Sequence, residues 1–440
     1  MSAEMIYSKA VPVRHQVDVM VAGGGPAGVA AALTAARQGH SVFLAESQSC
    51  FGGMGTAGMV PAFSTFSDGI NVLADGIGRE ILEALGVEKG SGSPLATYAI
   101  PAEPLKRVYD RLMTAAGVAF AFQTTVLDVV ARDGHVEQAL CWGKSGLFAV
   151  QARLYIDGTG DGDLAAWAGA PFDKGDGEGA MMPGTLCSLW ADVDWEAYRA
   201  SGINPRTLLP QAFADGIFTV HDPHHPGMWR VGRHLVGGNI GHAFGVDATD
   251  ERSVTAHLVE ARARLPEFER FYRERVPGFQ NLELAGSGAV LGIRESRRIL
   301  GDYVLNIDDF KARAVFPDEI GRYCYPVDIH PSKPDPVRYA SFEKEFFETL
   351  RYKKGESYGI PYRILTPRKL DNLLVAGRCV SSDRGIQGSI RVMPGCYITG
   401  QAAGMAAALA IEHHTDTRGI PVGELQRRLR AMGAYLPNLE

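Results

Sequence analysis

The chain has 440 residues, 46% hydrophobic and 21% charged, the balance of a globular protein of two or three domains rather than a disordered one. Lys+Arg 44 against Asp+Glu 50 leaves a net charge of -6, which excludes a generally basic nucleic-acid binder. No apolar run reaches the ~18–20 residues of a membrane span, and the N-terminal MSAEMIYSKAVPVRH lacks the apolar core of a signal peptide.

Residues 17–22, VDVMVA, predict a buried parallel strand. GGGPAG follows, with Gly23, Gly25 and Gly28 spaced as G-x-G-x-x-G, then the small-residue helix VAAALTAARQG and a second strand, SVFLAE, ending in Glu46. Each part of this βαβ unit has a reason. Gly23 allows the tight turn, Gly25 lets the backbone approach a pyrophosphate, and Gly28 lets the helix lie close on the sheet. The helix N-terminus offers N–H groups and positive dipole to phosphate. An acid at Glu46 accepts adenosine ribose hydroxyls and disfavours a 2′-phosphate. FAD or NAD is therefore expected over NADP. The following loop carries Gly52, Gly53, Gly55 and Gly58, which suits a chain passing closely around an extended cofactor.

Residues 118–130 read as two strands and Ala152–Ile156 as a short one, followed by the turn Asp157-Gly158-Thr159-Gly160-Asp161-Gly162-Asp163. Residues 253–278 read as a helix interrupted at Pro266. LELAGSGAVLGIRES (282–296) has GxGxxxG spacing and no long strand before it, so a separate NAD(P)H domain is not expected. Tyr303–Leu305 and Ala314–Phe316 resemble short strands. Residues 331–357 begin as a Pro-rich charged loop expected to order on substrate binding. LLVAG is a buried strand, followed by Gly377-Arg378, a loop, and the helix TGQAAGMAAALA with its N-terminus near Pro394-Gly395-Cys396. The last element is the amphipathic helix VGELQRRLRAMGAYLP.

Three blocks together resemble the FAD-dependent oxidoreductases of the glutathione-reductase-like fold. More narrowly they are similar to the bacterial FAD-dependent oxidoreductase family distantly related to fumarate reductase flavoproteins. The blocks are residues 21–56, 154–172 and 371–410, with fainter matches at GIRESRRILGDYVL, YPVDIH and YGIPYRILTP. The resemblance implies an α/β fold: a Rossmann-like FAD-binding domain of the glutathione reductase type with an inserted α+β substrate domain. Residues 1–164 and 371–440 would form the FAD domain and residues 165–370 the cap. It implies FAD contacts at Gly23, Gly25, Pro26, Ala27, Gly28, Glu46, Ser47, Gly53, Met54 and Thr56. Further contacts would come from Val126 through its backbone to adenine, and from Gly158, Asp161, Gly377, Arg378, Pro394, Gly395 and Cys396. The helix N-terminus near Pro394 would stabilise negative charge at N1/O2 of the reduced flavin. No sequence feature marks a covalent attachment point.

His221-Asp222-Pro223-His224-His225, with His234 and His242, forms a histidine cluster. The prolines make it a loop, and no cysteine or carboxylate completes an obvious ligand set, so no metal is expected. The six cysteines (Cys50, Cys141, Cys187, Cys324, Cys379, Cys396) are scattered without a CxxC pair. That argues against a disulfide framework or a redox pair and suits a reducing cytoplasm. Arg294, Arg297, Arg298, Arg384 and Arg391 are the charges nearest the family blocks. Of these, Arg294, Arg384 and Arg391 could orient an anionic or hydroxylated substrate. His330 in YPVDIH is the best general-base candidate, since imidazole titrates near neutrality.

The expected activity is hydride transfer between a small organic substrate and flavin N5, as a dehydrogenase or oxidase. The alternative is a single-component monooxygenase using NAD(P)H and oxygen, and a redox-inert carrier is a third reading. Substrate, electron acceptor and oligomeric state, a homo-oligomer included, stay open, with no nucleic acid and no membrane span as partners.

Overall fold

The computed structural model describes residues 5–87, 97–223 and 227–439. Strand β1 (Val13–Ala22) leads into helix α1 (Pro26–Arg37) and strand β2 (Val42–Ala45). A long strand, β3 (Gly146–Asp157), lies parallel on the other side of β1. Strand Ala119–Ala121 extends the sheet beyond β2, and strand β4 (Leu373–Val375) pairs in parallel with the end of β3. An antiparallel meander through Thr125–Arg132 and His135–Gly143 leads into β3. β1 begins earlier than residue 17, and β3 is 12 residues long rather than five. Both extend because each finds a paired neighbour along its whole length, and pairing overrides the local sequence signal.

The sequence of α1, PAGVAAALTAAR, is built of small residues for close packing. It lies against a second small-residue helix, Met393–Glu412, and nearly every residue of both is buried. A Cβ on Gly400 would come 2.1 Å from the Ala27 carbonyl oxygen, and one on Gly404 would come 2.3 Å from that of Ala31. Only glycine permits this approach.

A second apolar core gathers Leu186–Leu291 side chains. Its four-stranded antiparallel sheet runs in the order Gly227–Arg230, Val236–Asn239, Ser188–Ala191, Glu283–Ser287. Helix α2 (Glu251–Arg275) covers it with Leu265, Phe268, Phe271 and Tyr272. α2 is continuous through Pro266, contrary to expectation. Pro266 is exposed, so water can satisfy the carbonyl it leaves unpaired, while the buried residues on either side carry the helix through. Side chains from Ile299 to Leu370 pack in the larger core instead.

Other expectations are corrected here. Tyr303–Leu305 and Ala314–Phe316 are not strands; Leu305 makes a lone bridge to Ser382, and the paired strands nearby are Glu319–Tyr323 and Tyr358–Pro361. Residues 331–357 are not simply a loop. Asp335 caps helix Pro336–Phe342 by accepting from the Arg338 N–H, Pro336 opens its first turn, and a π-type turn follows at Glu343–Thr349. The segment expected as a loop after Arg378 contains helix α3 (Arg384–Ile390), capped by Asp383, before α4 (Met393–Glu412). Glu283–Ser287, in the second glycine motif, is an antiparallel strand with no helix after it. Among the described residues, no helix is long and apolar enough to cross a membrane.

Candidate active site

One cavity of about 800 Å³ runs from the β1–α1 turn to the second core. At the turn, Gly23 has φ +85, a conformation that favours glycine, and its backbone faces Gly158. The α1 N-cap, Gly25, makes no side-chain cap, so the N–H groups of the first turn stay open toward the cavity. Pro26, Ala27, Ser47, Gly53, Met54, Val126, Gly158, Gly377 and Cys396 line the same wall. Gly28, Thr56, Pro394 and Gly395, also expected at the cofactor, are not among the residues that line the cavity. A Cβ on Gly28 would sit 1.8 Å from the Gly23 carbonyl oxygen, so this glycine sets helix-on-strand packing. Thr56 is buried and donates to the Phe51 carbonyl.

Glu46 is 5% exposed and borders the cavity. Its carboxylate accepts from the Gly24 and Gln48 N–H groups, both at 2.6 Å. Burial pushes its pKa up against those hydrogen bonds. Arg378 ties three loops together: it donates to the Gly160 carbonyl at 2.9 Å, the Ile293 carbonyl at 2.9 Å and the Asp161 carboxylate at 2.6 Å. Two residues not anticipated from sequence are Asp163 and Trp167, both on the wall. Burial, then Asp161 and Asp157, raises Asp163 to about 6, although Arg297 bonds it at 2.6 Å. Position in the DGTGDGD turn was the available signal for Asp163; nothing local marked Trp167.

At the far end, Arg294, Arg391, Asp328, His330, Tyr325 and Tyr339 border the cavity. Arg294 donates to the Pro183 carbonyl at 2.9 Å and the Thr185 hydroxyl at 2.8 Å. Arg391, the C-cap of α3, bonds the Asp328 carbonyl and carboxylate at 3.0 and 3.1 Å. Burial works against the Asp328 carboxylate, but His330, Arg391 and Arg294 outweigh it and hold its pKa well below the ordinary range. Burial, then Arg294, brings His330 down to about 3, so its imidazole is neutral at pH 7 and, contrary to the expectation from residue type, does not titrate near neutrality.

Arg384 does not face the cavity. It pairs with the buried Glu295, which also holds Arg298 at 2.6 Å and accepts from the Met182 N–H. The histidine cluster disperses. His221 stacks on Phe213, His234 is exposed, and His242 is buried against Asp222 and His330. His224 and His225 lie outside the described residues, and among those described no group of metal-ligating side chains forms. All six cysteines are free; Cys50 contacts Thr56, and Cys396 contacts the Arg391 carbonyl.

The α4 N-cap, Val392, makes no side-chain cap, so a second open helix N-terminus meets the cavity, beside Met393 and Cys396. Two open helix ends, a glycine-lined turn and a buried carboxylate on one long cavity fit an extended dinucleotide carrying a pyrophosphate and an anionic ring.

A comparison with curated protein sequences finds no match. Among solved structures, the chain is similar to a geranylgeranyl bacteriochlorophyll reductase-like protein from Thermoplasma acidophilum, with 14% identity and TM-score 0.46 over 95% of this chain and 83% of that one. It is also similar to p-nitrophenol 4-monooxygenase from Pseudomonas putida DLL-E4, with 13% identity and TM-score 0.43 over 92% and 82%. A third is the anhydrotetracycline hydroxylase from Streptomyces rimosus, with 14% identity and TM-score 0.42 over 94% and 65%. The family model described as FAD dependent oxidoreductase matches residues 18–429. With the motifs and the cavity, that match places the chain in the FAD-dependent oxidoreductase family, and the protein is a flavoenzyme that uses FAD.

Proposed function

We propose that this enzyme oxidises a small organic substrate by hydride transfer to flavin, as a dehydrogenase or oxidase. The observation that carries the reading is that the cofactor wall and the Arg391–Asp328–His330 cluster share one cavity. Bound FAD supplies the two-electron chemistry. In this reading the FAD domain is of the glutathione reductase type and residues 165–370 act as the cap, with the second core at Leu186–Leu291 in support. The α1 N-terminus holds the pyrophosphate, Glu46 the ribose, and the Val126 backbone the adenine. Arg391 and Arg294 orient an electronegative substrate group. His330, neutral and beside Asp328, receives the proton that the substrate O–H or N–H releases. The apolar Val290, Leu291, Ile293 and Phe342 exclude water from that end.

Anaerobic stopped-flow reduction by a panel of hydroxy acids, sugars, amines and phenols tests the reading. Rapid reduction by one class supports it. Reduction by NAD(P)H alone, accelerated by a compound that is then hydroxylated when oxygen is admitted, replaces it with the monooxygenase.

A further inference from the structure

The short helix Asp163–Trp167 opens where the DGTGDGD turn closes, and its last residue is a tryptophan on the cavity wall. The helix is anchored from behind. Asp157, fully buried, accepts from the Ala165 N–H at 2.9 Å and from the Thr159 hydroxyl at 2.7 Å. Leu164 and Ala165 are fully buried, and Arg297 bonds the Asp163 carboxylate at 2.6 Å. Trp167 itself is 41% exposed. A large apolar ring on an anchored helix, left open beside a cavity, is a surface for a flat ligand group.

The neighbours of this helix indicate which group. The helix packs against the strand Thr125–Arg132, whose first residues, Thr125 and Val126, border the cavity. Just before that strand, Thr124 donates its N–H to the Glu46 carbonyl at 2.9 Å, and Gln123 donates its N–H to the Gln48 carbonyl at 3.0 Å. One strand and its entry loop therefore connect Trp167 to Val126 and Glu46, and all three residues border the cavity.

We propose that Trp167 is an adenine-binding residue, its indole forming an apolar wall against which the adenine of FAD packs. The inference rests on the placement of the ribose at Glu46 and of the adenine at the Val126 backbone. A backbone contact engages the edge of a base and leaves its faces to be covered. An aromatic side chain suits that task, because every base has a flat π-face. The anchored helix presents the ring before the cofactor arrives, so little ordering is lost on binding. Packing the base on the indole also removes from water an apolar surface that is otherwise exposed.

The test is FAD retention in Trp167→Ala and Trp167→Phe, without substrate. Flavin released as the FAD-loaded protein is diluted gives the affinity through its fluorescence. Base–aromatic stacking predicts about 5- to 150-fold weaker binding in Trp167→Ala, with most of the loss restored in Trp167→Phe. The visible spectrum of the flavin that stays bound should match wild type, because an extended FAD carries its ring system away from the adenine. In FAD-loaded wild type, the indole resonances that vanish in Trp167→Phe should show nuclear Overhauser contacts to adenine ring protons. Unchanged affinity in Trp167→Ala overturns the proposal, as does an indole without those contacts. A loss accompanied by an altered flavin spectrum overturns it too, since that marks a general distortion of the site. Glu46→Ala measured alongside separates the failures. If it weakens FAD while Trp167→Ala does not, Trp167 alone is removed; if neither does, the placement of the adenosine end falls with it. No substrate enters, so the outcome is separate from that of the reduction assay.

Discussion

The guanidinium of Arg384 closes on the carboxylate of Glu295 at 3.1 Å, and Glu295 is 1% exposed. An arginine that the sequence places among cofactor-loop glycines thus neutralises a buried charge. Breaking a buried pair costs ~3–5 kcal/mol. Here Arg298 still bonds Glu295 at 2.6 Å, so Arg384→Ala should cost about 2–3 kcal/mol. Urea unfolding of the FAD-loaded protein measures it, and an unchanged midpoint would show that Arg298 alone suffices.

Glu46→Ala should weaken FAD retention. Hydrogen bonds to a charged acceptor contribute ~1.5–3 kcal/mol each, so loss of one ribose bond predicts roughly a 10- to 100-fold higher Kd. Fluorescence titration of apoprotein with FAD reads this directly. Equal affinity would remove Glu46 from the ribose site.

His330→Ala should slow substrate-driven flavin reduction by about 10²–10⁴-fold, the usual contribution of a general base. The bound-flavin spectrum should stay as in the wild type. A rate within a few-fold of wild type would assign the proton to another group.

Acid should destabilise the fold through His330. Its folded pKa is lowered to about 3, chiefly by burial, while the unfolded chain has the ordinary ~6.5. The unfolded state therefore binds more protons between these values, and the stability is present above ~6.5 and lost as pH falls toward 3. Urea midpoints at a series of pH values should fall less steeply in His330→Phe than in wild type. Parallel curves would mean that His330 does not titrate on unfolding.

Gly400→Ala should force α1 and α4 apart, because the new Cβ would meet the Ala27 carbonyl oxygen at 2.1 Å. Overpacking typically costs ~1–3 kcal/mol, and a backbone neighbour cannot swing aside, so about 3 kcal/mol or more is expected. Reduced FAD content and a lower Tm are the readouts. A wild-type Tm would mean that the helices separate freely.

The βαβ unit, the turn at Gly23, the carboxylate at Glu46 and the small-residue helices are legible along the chain, and together with the three family blocks they point to FAD. Those signals are contiguous: each lies within one strand, turn or helix, where local sterics and periodicity speak directly. That His330 borders the cavity accords with the expectation drawn from its residue type within a family block. Its partners were not legible, because His242 and Asp222 come from other segments, 88 positions from His330 and 20 positions from His242 respectively. Arg384 was misread for the same reason, since Glu295 lies 89 positions away. Short strands and the Pro266 helix were decided by partners that pair with or bury them. Only the folded chain brings such groups within hydrogen-bond distance, and there burial, not residue type, sets whether a charge is held, neutralised or paired.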